Sequence, residues 1–183
     1  SIGTGASNGI YIRNRSTNNW LDSPRFREDT LAVAHSILRA SDHRMADRPT
    51  YVGPFLDFLV VREAIDKPYF IYETEYPYKN TGKLIPLEEF FAGKEERYPD
   101  AVAQLRGLEH PFRGPDLMYV IDYDKQGYYF AGDDHLGNHG SMTPEDVFIP
   151  MMFSGPGIKN GTLPNGRAID IAPTIASLFG LEM

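Results

Sequence analysis

The residues best suited to chemistry crowd into one Gly-, Asp- and His-rich stretch, residues 131–146 (AGDDHLGNHGSMTPED). His139 lies there between glycines, in Gly137-Asn138-His139-Gly140. Glycine lets the backbone pass close to an ion, and neutral imidazole is a common metal ligand, so His139 suits a metal site. The plain alternative is a surface-loop histidine with satisfied hydrogen bonds. Asp133, Asp134 and His135 form a dense carboxylate–imidazole patch just upstream. Such a patch can orient the ligands of a metal or simply be a solvated loop. Far upstream, Ser41-Asp42-His43-Arg44 offers a second carboxylate–imidazole pair. Asp42 and His43 read either as ligands or as an exposed loop in which Asp42 caps the chain locally.

The remaining candidates have simpler readings beside the chemical ones. Arg62 and Arg113 suit bidentate recognition of an anion, although pairing with Glu63 or Asp116 is the ordinary role of such residues. The aromatic clusters at 69–78 and 119–130 can stack on a base, but strands carry aromatics for packing. His35 falls on a helical face and reads as structural; His110, before Pro111, reads as a loop residue. Gly155 and Gly157 flank Pro156 in a turn signal without the Lys-Ser/Thr of a phosphate loop.

Composition removes whole classes of function. The chain has 183 residues, 42% of them hydrophobic and 13% aromatic, which is one domain's worth with material for a core. It has no cysteine, which excludes disulfides, thiolate nucleophiles and Cys-ligated zinc. A net charge of −7 argues against binding a nucleic-acid polymer through its backbone. No apolar run approaches the roughly 20 residues of a membrane span.

These side chains need elements to hold them. Residues 9–13 (GIYIR) read as a strand. Residues 30–39 (TLAVAHSILR) have mostly helical apolar spacing, and Glu28 and Asp29 suit a helix start. Residues 57–63 and 69–72 read as a hairpin around the turn Asp66-Lys67-Pro68. Residues 86–91 and 99–108 read as short helices, the first with Pro86 in its first turn. Residues 116–122 and 127–130 predict a second hairpin, and 147–153 (VFIPMMF) a buried strand. A short helix over 172–179 should stop at Gly180. Strands alternating with short helices place the chain in the α/β or α+β class.

In order and spacing, residues 137–181 (GNHGSMTPEDVFIPMMFSGPGIKNGTLPNGRAIDIAPTIASLFGL) resemble one branch of the alkaline phosphatase superfamily. They resemble the C-terminal end of its type I phosphodiesterase and nucleotide pyrophosphatase branch. There a G-x-H-G histidine precedes a strand like IPMMFSGPGIK, and a segment like IDIAPTIASLFGL closes the chain. Residues 111–130 are similar to the hairpin before that histidine. The resemblance implies an α/β fold: residues 111–183 as the C-terminal part of an alkaline-phosphatase-like sheet with flanking helices, and 1–110 as a variable α+β insert. It implies a parent protein with two metal ions, commonly zinc, and a Ser or Thr that attacks a phosphate ester. His139 matches the late histidine ligand of one metal.

Two departures follow. No copy of the family's early Asp and Ser/Thr nucleophile stands in the chain, and its Asp-His-Gly pair has only Asp42-His43-Arg44 as a counterpart, after a helix-like run. The nucleophile and the true ligand pair are therefore expected upstream of Ser1, in a missing N-terminal part of the same protein. This chain is expected to be the C-terminal portion of a metal-dependent phosphodiesterase, inactive alone. The rival expectation is a non-enzymatic accessory or ligand-binding domain that keeps the family's frame. His139 should sit on a loop beside 147–153, at the carboxyl side of a sheet and facing open space, away from Asp42 and His43.

Overall fold

The computed structural model describes residues 2–4, 7–42, 56–75, 82–123, 139–164 and 166–181. The chain divides into two compact units, Ser1–Val147 and Phe148–Met183.

Unit 1 is of mixed α/β class. Its strands are β1 (Ile2–Thr4), β2 (Ser7–Ile10), β3 (Leu56–Arg62), β4 (Tyr69–Glu73), β5 (Lys83–Pro86) and β6 (Leu117–Ile121). Its helices are α1 (Leu31–Asp42), entered through a π-helical turn Phe26–Thr30, then α2 (Leu87–Phe91), α3 (Ala101–Gly107) and α4 (Pro144–Val147). The strands form one sheet in the order β1-β2-β6-β3-β4-β5. Every neighbouring pair is antiparallel. The sheet thus has no common carboxyl edge, and the expectation that His139 lies at one is corrected on that ground.

The first hairpin forms as expected, with Val60 opposite Ile71 and Arg62 opposite Tyr69. Its turn closes through Lys67 N–H donating to the Ala64 carbonyl at 3.0 Å. The second does not take the expected shape. Strand β6 pairs with β2 on one side and β3 on the other, so its length from Leu117 to Val120 leaves no edge for a local partner. The expected partner, 127–130, lies outside the described residues. Apolar alternation marks a strand but does not name its neighbour, and here both neighbours are distant in sequence.

Burial on both faces explains why β3 reads LDFLVVR. Phe58 and Val60 join Ile71, Met118 and Val120 on one face, where Leu87 and Phe91 of α2 and Leu105 of α3 cover them. Leu59 and Val61 join Tyr72 and Leu117 on the other, against Leu31 and Ala34 of α1. A strand covered on both sides becomes a near-continuous apolar run instead of an alternating one. A register shift between Leu56 and Phe58 marks a bulge at Asp57. Bulges re-aim a side chain, and Asp57 meets Tyr98 on the α2–α3 face.

Ahead of α1, Asp29 is almost wholly buried. Arg25 Nε and Nη2 each donate to it at 2.9 Å, and Arg15 Nε donates at 2.6 Å. Arg25 first, and then Arg15, hold its carboxyl well below the usual carboxylate range against the opposing effect of burial. This knot ties residues 12–25 to the start of the helix.

In unit 2, a 3-10 turn Ala168–Asp170 enters α5 (Ile171–Leu178), with Arg167 N–H donating to Asp170 Oδ2 at 3.0 Å. The helix stops at Gly180 as expected. Gly180 has φ +67°, its N–H donates to the Ser177 carbonyl, and Leu181 N–H donates to that of Ala176. This 6→1 and 5→2 pattern needs a left-handed residue, which glycine supplies at least cost. The strand expected over 147–153 is absent: Val147 ends α4, and residues 148–153 are irregular. Phe148, Ile149 and Met152 are exposed. A strand needs a ladder partner, and among the described residues unit 2 contains no other strand. Pro150 also removes a donor. The two compact units divide between Val147 and Phe148, and β6, beyond residue 110, sits between β2 and β3. No helix among the described residues is long and apolar enough to cross a membrane.

Candidate functional site

His139 lies on an irregular segment of unit 1 and is exposed, as expected of a ligand-bearing loop. Gly140, next to it, has φ +104°, a conformation that L side chains rarely adopt, so the glycine is what lets the chain turn there. The segment is then pinned. Met142 is buried in the same core cluster as Phe58 and Tyr98. Asp146 Oδ2 accepts Ser141 N–H at 2.7 Å, and the hydroxyls of Ser141 and Thr143 meet at 3.1 Å. Val147 N–H donates to the Thr143 carbonyl, closing the single turn of α4. Asp146 therefore serves as a backbone acceptor that holds this turn.

The same core cluster leads to an assembly that the sequence reading did not single out. Tyr98 Oη donates to the Asp57 carboxylate, with oxygens at 2.9 and 3.0 Å. Arg97 Nε donates to the Tyr98 oxygen at 2.9 Å, and Arg97 reaches Asp122 at 3.7 Å. Burial pushes the Asp57 carboxyl up, and the Tyr98 hydrogen bond pulls it back part of the way. Leu56 pairs with Ile121, so antiparallel pairing brings the start of β3 and the end of β6 together, and Asp57 with Asp122. The signal was present, since each apolar run begins or ends on an Asp; which runs pair was not.

The other candidates resolve into structure. Arg62 is buried, not on the surface. It donates to the carbonyls of Ile65, His110 and Gly114 at 3.0, 3.0 and 2.6 Å, and to Asp116 Oδ1 at 3.2 Å. The expected Arg62–Asp116 partnership exists, but as a buried tether with no donor turned outward to an anion. His35 is buried, with Nε2 2.7 Å from Tyr72 Oη, in keeping with its structural reading. His110 Nδ1 accepts Phe112 N–H within its loop. Tyr69 and Tyr72 are core residues, and Tyr69 Oη donates to the Pro115 carbonyl at 2.8 Å. Neither ring offers a stacking face.

His43, Asp133, Asp134 and His135 lie outside the described residues, as does the side chain of Asp42. Among the described residues, no group of three or more His, Asp or Glu side chains could hold a metal ion. Zinc takes about three protein ligands in a catalytic site. The described residues therefore do not make a complete centre around His139. Comparison with protein-family models, with curated proteins and with solved structures finds no match.

Proposed function

We propose that this chain is the C-terminal portion of a metal-dependent hydrolase of phosphoric esters, of phosphodiesterase or phosphatase type, and that His139 is its contribution to a metal site. The observation that carries this reading is the ordered run from Gly137 to Leu181: the G-x-H-G histidine, IPMMFSGPGIK and IDIAPTIASLFGL in family order. Its support in geometry is the exposure of His139 on a segment that Gly140 turns and Met142 anchors. The parent protein holds two metal ions, commonly zinc, and its upstream part supplies the nucleophile and the remaining ligands. The chain alone has one matched ligand and no nucleophile, so it has no turnover and binds zinc weakly. The finer fold assignment, an alkaline-phosphatase-like sheet continued by this segment, belongs to the same proposal.

The second reading is an accessory or ligand-binding domain that keeps the family's C-terminal frame. An assay of two proteins separates the two. This chain and the longer reading frame are tested with an aryl phosphodiester, with and without zinc. The first reading expects no turnover from this chain, and turnover from the longer one that His139→Ala strongly reduces. Turnover by this chain that its own His139→Ala variant abolishes overturns the inactive-portion argument. A longer protein unaffected by His139→Ala, or a reading frame with no upstream nucleophile and Asp-His-Gly block, leaves the accessory reading as the account.

A further inference from the structure

Helix α1 carries a second candidate site, on the opposite face of the sheet from the cluster that anchors the His139 segment. Leu31, Ala34 and His35 turn into the protein, and Leu31 and Ala34 pack on the sheet. Along the flank of that buried face run Val33, Ile37 and Ala40, spaced by four and three residues and hence in one stripe; Val33 and Ile37 are half-buried at the edge of the core cluster. Residues 12–15, held to the helix start by the Arg15–Asp29 ion pair, form a facing wall. Between them lies a groove of about 550 Å³. Small-molecule sites commonly run from about 300 to 1,000 Å³, mostly apolar with a few placed polar groups. This groove has that make-up: Ile12, Val33 and Ile37 line it, with Arg13, Arg15 and Asp29 as its charges.

The two guanidiniums are not equivalent. Arg15 is engaged with Asp29. Arg13 lies over the exposed Trp20 ring, 5.9 Å from its centroid, and among the described residues no carboxylate is within ion-pair distance of it. Two guanidiniums against one carboxylate leave the groove net positive on a chain of charge −7. An apolar slot beside a guanidinium that is in no carboxylate pair among the described residues complements an apolar tail with one anionic head. We propose that this groove binds a single small amphiphile with an anionic head, its chain along Val33 and Ile37 and its head at Arg13. The proposal does not depend on the metal reading, because none of its residues belongs to the His139 segment.

Decanoate and decyltrimethylammonium are the probes, each below its micelle concentration and at equal ionic strength, followed by methyl NMR of the whole chain. Decanoate is expected to shift the Ile12, Val33 and Ile37 methyls saturably, with an affinity at least about tenfold above that of the cation. Arg13→Gln should weaken decanoate about tenfold and Arg13→Lys should restore most of that loss. Ile37→Gln should weaken both probes. Arg13 is exposed, so its variants leave the core intact; Ile37 packs at the edge of the core, so Ile37→Gln is read only if its circular dichroism and unfolding midpoint match those of the parent. Equal affinity for the two probes overturns the proposal. So does an Arg13→Gln variant that binds decanoate normally, or decanoate shifts confined to the exposed apolar side chains of residues 148–181.

Discussion

Arg62 shows how a residue type with chemical promise becomes structural. Its guanidinium is buried and ties three carbonyls and Asp116 into one knot behind the turn at 110–116. Arg62→Met should cost about 3–5 kcal/mol, because it strands the Asp116 carboxylate and three acceptors together. Asp116→Asn should cost clearly less, since the amide oxygen keeps an acceptor for Arg62 or for Ile12 N–H and the carbonyl partners of Arg62 remain. Urea unfolding midpoints of the two variants check the order. His35 gives a pH-dependent counterpart. Burial first, then the charge of Arg39, lowers its pKa below the ordinary value. The unfolded chain therefore takes up a proton at higher pH than the folded one. Stability is full above the unfolded pKa of roughly 6.5 and falls as pH drops from there toward the folded value. His35→Gln should flatten this slope, measured as unfolding free energy between about pH 5 and 7.5.

At the scale of elements, α1 is positioned by a small residue, the one of its three alanines that is buried. Ala34 has no exposed surface and belongs to the cluster of Leu59, Val61 and Leu117, so the helix approaches the sheet where a side chain is nearly absent. Ala34→Leu should overpack that contact and cost about 1–3 kcal/mol, with Ala32→Leu on the exposed side within about 0.5 kcal/mol of the parent. Thermal and denaturant unfolding of both variants measure the difference. The turn after α3 has a similar constraint. A Cβ on Gly114 would stand 2.5 Å from the Leu108 carbonyl oxygen and 2.8 Å from Tyr69 Oη. Both atoms belong to packed backbone or a buried ring, so Gly114→Ala should destabilise by about 1–3 kcal/mol and disturb the Arg62 knot with it.

At the scale of the molecule, both hydrophobic clusters lie wholly within unit 1, with Met142 the last residue of either. Unit 2 has only Ala176 buried among its described apolar side chains, while Met152, Leu163 and Phe179 are 91%, 87% and 78% exposed. Residues 1–147 are therefore expected to unfold cooperatively on their own, with a single denaturant transition seen alike by tryptophan fluorescence and far-UV circular dichroism. A peptide of residues 148–183 is expected to show none, because burial of apolar area supplies the cooperativity. A cooperative transition in the short peptide, or its loss from residues 1–147, would contradict this division.

Local structure was legible in the sequence: the 57–72 hairpin, helix α1, the α2 start after Pro86 and the Gly180 stop. Each rests on residues within a few positions of one another, where spacing, glycine and proline act directly on the backbone. Tertiary structure decided what distance in sequence conceals. It set β6 between β2 and β3 instead of in a local hairpin, sank Arg62 among carbonyls, and brought the bulged Asp57 near Asp122 by pairing Leu56 with Ile121. It also left 148–153 without a ladder, although its composition is that of a buried strand. Apolar pattern reports that a segment is to be buried; only the assembled chain determines against what, because pairing and burial are satisfied by partners that no short stretch contains.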